Sequence, residues 1–297
     1  MKALLICPAT PTQFSGFSIE LPLVAVPFLG QTLLEYWMAH LAAAGTHSVL
    51  VLVQDRPAEI EAMVGSGARW GLDVKVVVQS SELTSEEALL KYTPKLPLEP
   101  ELPSVAVLDH FPGQPEHCLF QTYNGFMQGL HRWMPRAFTP ERVGMREVRP
   151  GIWVGTNSRV SPEANLHSPC WVGQSAVIGA RAILGPGSIV EDGSFIEADG
   201  EVSASWVGPN TFVGRLARVT NSLVWGNRLI NWQNGSVAVI PDPFVLSTLR
   251  PPRKAGRTRW YHRLGALYSR AKAQPELPWE GLVAPDQNLT HESCPEH

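Results

Sequence analysis

Three places in this chain carry side chains suited to chemistry. Asp109 follows the apolar stretch Ser104 to Leu108 (SVAVL), and α/β folds gather ligand groups at the C-terminal ends of their strands. A carboxylate there suits a hard divalent cation. His167 lies in Leu166-His167-Ser168-Pro169, where an imidazole can act as general base toward a hydroxyl or amine. Its only carboxylate neighbour in sequence is Glu163, and a lone surface histidine is the plainer reading. The stretch from Arg250 to Lys272 interleaves Arg253, Lys254, Arg257, Arg259, Arg263 and Arg270 with Trp260, Tyr261, Leu264, Leu267 and Tyr268. Read as a helix over 258–273, it is basic and amphipathic, although Gly265 weakens it. Such a stretch fits an anionic membrane surface or an acidic partner, or a solvated helix packed back on the fold. The four cysteines, Cys7, Cys118, Cys170 and Cys294, show no metal or disulfide-framework spacing.

The strongest pattern is a period of six. Val154, Val160, Leu166, Val172, Ile178, Leu184, Val190, Ile196 and Val202 form an unbroken series. A small residue stands four positions after each of the first eight, from Ser158 and Ala164 through Cys170 to Gly200. Six matches neither a helix nor a plainly alternating strand; it is the hexapeptide repeat of a parallel β-helix. Each aliphatic residue points into a narrow prism, which makes Cys170 a buried thiol and places Arg181 outside. Gly155, Gly173, Gly179 and Gly185 follow inward residues directly and read as turn formers. The register slips by one at Val207 and again at Val224, as at a corner or bulge. Trp225 and Trp232 read as a cap over the last coil.

Before the repeat, strands and helices alternate. Ala3 to Cys7, Ser48 to Val53, Val74 to Val78 and Ser104 to Leu108 read as strands. Gln31 to Ala44, Pro57 to Val64 (capped by Asp55), Glu86 to Tyr92 and Tyr123 to Trp133 read as helices. This is a doubly wound α/β layout, interrupted by a proline-rich loop over 93–103. The expected division is an α/β domain over 1–146, a β-helix over 147–240, and a basic segment with a disordered Pro-rich tail over 241–297.

Composition bounds the function. The chain has 297 residues, 44% of them hydrophobic, and a net charge of -3. That balance argues against a nucleic-acid binder. MKALLIC runs into Pro8 and reads as a first buried strand, not a signal peptide. No apolar run reaches the length of a membrane span. The expected location is the cytoplasm.

Residues 2–90 resemble the N-terminal half of sugar-1-phosphate nucleotidyltransferases, which make NDP-sugars. The resemblance rests on Val26 to Tyr36 (VPFLGQTLLEY) and on Ala58 to Leu72, with its G-x-G-x-x-W-G pattern from Gly65 to Gly71. The repeat, ending in Asn221 to Asn227 (NSLVWGN), is similar to the left-handed β-helix of the mannose-1-phosphate guanylyltransferase subgroup. The resemblance implies a shortened Rossmann-like nucleotidyltransferase domain followed by an all-β left-handed parallel β-helix. It also implies a nucleotide or NDP-sugar ligand, Mg2+ if the enzyme is active, and a homo-oligomer or partner subunit joined through the β-helix.

The chain departs from the family where chemistry is concentrated. The phosphate-cradling loop, of G-G-x-G-T-R type in the family, falls on Pro8 to Gly16 (PATPTQFSG). Two prolines there remove N–H donors, and the arginine that would offset transition-state charge is missing. Thr10, Gln13, Gly16 and Leu21 are the degenerate nucleotide-binding candidates. The family's lysine falls on Leu21. Asp109 stands where the first metal ligand belongs, and the second falls near Gln121. The chain then passes directly to the family's final helix at Tyr123, without the segment that builds much of the sugar pocket.

Two principal readings stay open: a degenerate relative acting as regulatory, sensing or scaffold subunit in polysaccharide biosynthesis, and an active nucleotidyltransferase with a shortened site. A third is a hexapeptide-repeat acyltransferase with His167 as base, although the extended loop of such enzymes is missing from the regular repeat.

Overall fold

The computed structural model describes residues 2–9, 14, 21–92, 104–137 and 144–249. Thr10, Gln13 and Gly16, the loop 93–103, the basic segment 250–272 and the tail beyond it lie outside the described residues.

The N-terminal part is a Rossmann-like α/β unit. Strand β1 (Lys2–Ile6) is followed by a hairpin of β2 (Pro27–Phe28) and β3 (Gln31–Thr32), then by helix α1 (Leu33–Ala43). Next come β4 (Ser48–Val53), α2 (Pro57–Val64), β5 (Asp73–Val78), α3 (Ser85–Tyr92), β6 (Ser104–Val107) and α4 (Tyr123–Ala137). The sheet order is β5-β4-β1-β6 and every pairing is parallel. Both faces are covered, which explains the unbroken apolar strands. Leu4 and Ile6 face Ala88 and Tyr92 of α3. Ala3 and Leu5 join the main core with Leu34 and Trp37 of α1.

One helix start and one helix cap correct the sequence reading. Helix α1 begins at Leu33, because Thr32 caps it. The Thr32 hydroxyl accepts from the Glu35 N–H at 3.1 Å, and the Glu35 carboxylate accepts from the Thr32 N–H at 2.8 Å. This capping box stops the helix from extending back to Gln31. Asp55 does not cap α2. That place falls to Arg56, in the left-handed region with φ 46° and without a side-chain cap, and Asp55 instead pairs with the Arg56 guanidinium at 3.3 Å.

The second part is a parallel coil. Strand β7 (Met145–Arg149) pairs antiparallel with β8 (Ile152–Gly155), which opens the coil. Strand β8 stacks on Cys170–Val172, then Ser188–Val190, Trp206–Val207 and Ser222–Trp225. Two further parallel stacks start from Arg159–Val160 and Asn165–Leu166. Each strand thus pairs with the strand three later, so three strands make one turn. The inward residues Val172, Ile178, Leu184, Val190, Ile196 and Val202 share one buried core. Among the described residues, no helix is long and apolar enough to cross a membrane.

The corners correct the reading of the glycines. Left-handed backbone falls at Asn157, Ser175, Arg181 and Asp199 (φ 59°, 54°, 57° and 61°), usually three residues after the inward side chain. Gly155, Gly173 and Gly179 stand elsewhere in the turn, and space is what they require. A Cβ on any of them would lie 2.5 Å from a backbone nitrogen of the next turn. The register slips have one cause, a corner shortened by one residue. Val190 pairs with Val207 and Val207 with Val224, while the strands themselves remain regular.

One outer face of the coil is apolar. Trp153, Trp171, Ile189, Trp206 and Leu223 lie side by side in register. All are buried and belong to the same core as Phe28 and Phe126 of the α/β part. Trp206 lies 6.3 Å from the rings of both Phe28 and Phe126 and stacks with Trp225 at 5.7 Å. Trp225 and Trp232 therefore pack on this shared core. The far end of the inner core holds Leu246, with Leu229 and Ile240 packed against it. Trp206→Ala should cost about 3–5 kcal/mol, as large aromatic truncations do. Chemical denaturation would measure it, and a loss below about 1 kcal/mol would mean that the two parts do not share this core.

Candidate functional site

The switch point of the α/β sheet lies between β1 and β6, where the strand order reverses. Leu108 extends β6 past its last paired residue, its N–H donating to the Ile6 carbonyl at 2.8 Å. Asp109 comes next, at the C-terminal edge of the sheet. Its carbonyl accepts from the Leu119 N–H at 2.7 Å, which fixes the loop that leads to α4.

Both oxygens of the Asp109 side chain are engaged. One lies 2.6 Å from His110 Nδ1, and the other accepts from the Cys118 thiol at 3.4 Å. His110 is held in turn, because its carbonyl accepts from Trp37 Nε1 at 2.8 Å and its ring meets the Trp37 ring edge-on. Burial pushes the Asp109 carboxyl up, but the bonds from His110 and Cys118 and the charge of His110 outweigh it and hold the group below its ordinary value. The Cys118 thiol is pushed up by burial and by the Asp109 charge, which disfavours the thiolate a nucleophile needs. Cys7 and Cys170 are pushed up to about 12 by burial alone. Cys170 is fully buried in the coil, as its place in the repeat implies.

The side chains bonded to Asp109 are not the oxygen ligands that magnesium favours. Mg2+ asks for near-octahedral oxygen ligands, whereas Asp109 is flanked by an imidazole and a thiol. Among the described residues, no three His, Cys, Asp or Glu side chains gather so as to hold a metal ion. Gln121 is exposed and lines a hollow of about 190 Å³ together with Cys118 and Gln128. Cys118 thus touches Asp109 and lines the same hollow as Gln121. Leu21 packs partly buried against the main core, so the position that the resemblance gives to lysine is an apolar contact. Thr10, Gln13 and Gly16 lie outside the described residues, but Phe14 between them is described. Phe14 is fully buried, with ring centroids 4.6 Å from Tyr123, 6.1 Å from Phe120 and 6.3 Å from Phe126.

His167 is exposed on the coil, far in sequence from this cluster. Glu163 is not its partner; that carboxylate pairs with Arg181 at 3.2 Å, and Arg181 also binds Asp199 at 2.7 Å. The three form a charge column along one corner of the coil.

Sequence reading missed Glu191. Its carboxylate is fully buried where the coil meets the α/β part. One oxygen accepts from the Leu29 N–H at 2.6 Å and from Trp206 Nε1 at 2.9 Å, and the other accepts from the Gly30 N–H at 2.9 Å. Leu29 and Gly30 form the turn between β2 and β3, both at positive φ (54° and 75°), as a tight hairpin requires. That turn lies inside the VPFLGQ stretch. The available signal was a carboxylate directly after inward Val190, where Gly155 and Gly173 stand in earlier turns. Comparison with models of known protein families gives no match for this chain.

Proposed function

We propose that the chain is a nucleotidyltransferase-like protein of NDP-sugar or polysaccharide biosynthesis that no longer transfers a nucleotidyl group. In this reading its coil is the left-handed β-helix of that family, and the protein acts as a regulatory, sensing or scaffold subunit. The observation that carries the reading is the placement of Phe14. A phosphate-cradling loop must offer backbone N–H groups to a triphosphate. Here Phe14, in the stretch that the family gives to that loop, is buried in the core beside α4. Asp109, tied to His110 and Cys118, supports the same conclusion. In-line phosphoryl transfer depends almost wholly on positioning and charge, and neither an arginine nor a lysine occupies the family's positions.

The expected result is no pyrophosphate release above background from any of the four NTPs with mannose-, glucose- or N-acetylglucosamine-1-phosphate. A coupled pyrophosphate assay measures it. A rate that disappears in Asp109→Asn would overturn the reading and establish an active enzyme. Binding without turnover is compatible with a sensing role, and a thermal-shift panel of nucleotides and NDP-sugars would detect it. A ligand at a hundred times its dissociation constant stabilises by about 2.7 kcal/mol.

A further inference from the structure

The α/β part and the coil leave a groove between them that the switch point does not use. The start of α4 forms one wall, with Thr122, Tyr123 and Asn124. The turn after the last coil forms the other, with Trp232, Gln233 and Val237. Its volume is about 550 Å³, within the usual range for small-molecule sites.

The walls are held in place. Trp232 Nε1 donates to the Ala204 carbonyl at 2.8 Å, which fixes the indole. Tyr123 is held by the buried Phe14 ring, and burial pushes its hydroxyl up, so that it stays neutral. The Thr122 hydroxyl accepts from the Gly125 N–H at 2.9 Å and fixes the helix start. The Asn124 side-chain oxygen accepts from Gln128 at 3.0 Å, so its amide nitrogen is the group left to donate. The Gln233 backbone N–H is tied to the Asn231 side chain at 2.9 Å.

We propose that this groove binds an uncharged sugar unit. The inference rests on lining chemistry and is independent of the reading given to the Asp109 cluster. Two aromatic side chains line the groove, and such rings pack against the C–H side of a pyranose ring. Two carboxamides and the Thr122 hydroxyl offer donors and acceptors matched to its hydroxyl groups. No charged side chain is among the described residues that line the groove, so a phosphate or carboxylate finds no counter-charge among them. A purely apolar ligand would leave the carboxamides unpaired at a cost.

The test is ligand-observed saturation-transfer NMR on the full chain, with the methyl glycosides of glucose, mannose and N-acetylglucosamine, and with glucose 6-phosphate and UMP as charged comparators. At least one neutral glycoside should show transfer, and its affinity should fall about tenfold in Trp232→Ala. Gln233→Ala and Asn124→Ala should each weaken binding severalfold, and Asp109→Asn should leave it unchanged. If Trp232→Ala fails to fold, the two carboxamide variants decide. No transfer from any neutral glycoside would overturn the proposal. So would transfer only from the charged comparators, or binding indifferent to all three groove variants.

Discussion

Ile178→Asp is expected to unfold the coil. Ile178 is almost wholly buried and stacks in register between Val160 below and Ile196 above. Removing such a side chain costs about 2–5 kcal/mol before the new group is counted. An unpaired carboxylate in a dry prism adds several kcal/mol or takes up a proton at a similar cost. Native stability is about 5–15 kcal/mol in total, so the sum removes most of it. Circular dichroism melts would show the coil's transition lost or lowered by tens of degrees. Arg181 is the matching control, three residues on and exposed. Arg181→Asp would not be silent, because it sets a third carboxylate between Glu163 and Asp199; a small, salt-sensitive drop is expected. Arg181→Asn tolerates the left-handed corner without adding charge and should be close to neutral. Equal losses for Ile178→Asp and Arg181→Asn would mean that the inward register is misassigned.

The seam between the two parts should weaken as pH rises. Burial pushes the Glu191 carboxyl up to about 8, and the neighbouring Asp192 adds to this; the bonds from Leu29, Trp206 and Gly30 act in the opposite direction without reversing it. A group whose pKa is higher in the folded state binds protons more tightly there. Its contribution is therefore complete below about 4.5, the ordinary value, and is lost progressively up to about 8. A shift of this size corresponds to a few kcal/mol. Stability of the wild-type protein, measured by urea denaturation between pH 5 and 9, should fall across that window. Glu191→Gln keeps the shape but faces one N–H donor with another, which costs about 1–3 kcal/mol at every pH. Its curve should lose the Glu191 part of the slope. Parallel curves for the two proteins would remove Glu191 as the origin of the pH dependence.

The coil was legible because its neighbours in space stand at nearly fixed separations along the chain. Val154, Val172 and Val190 stack directly, so a local period of six encodes a tertiary contact. The α/β strands were legible for a related reason: burial on both faces leaves continuous apolar runs such as SVLVLV. The role of the repeat's glycines was not legible, because a turn former and a residue pressed against the next backbone look alike until Cβ positions are known.

The outer apolar ladder was written in the sequence at three times the repeat, at Trp153, Trp171 and Ile189, where a search at period six passes over it. Asp109 could be placed at a strand end from local pattern alone. That its oxygens are taken by His110 and Cys118 depends on how the loop before α4 closes. The meeting of Glu191 with the Leu29–Gly30 turn spans more than 160 positions, and no local pattern encodes such a contact. Periodicity determined the coil and the sheet, because their partners recur at regular intervals. Docking one on the other decided which carboxylate is buried and which groove stays open, because those surfaces become neighbours only once both parts have folded.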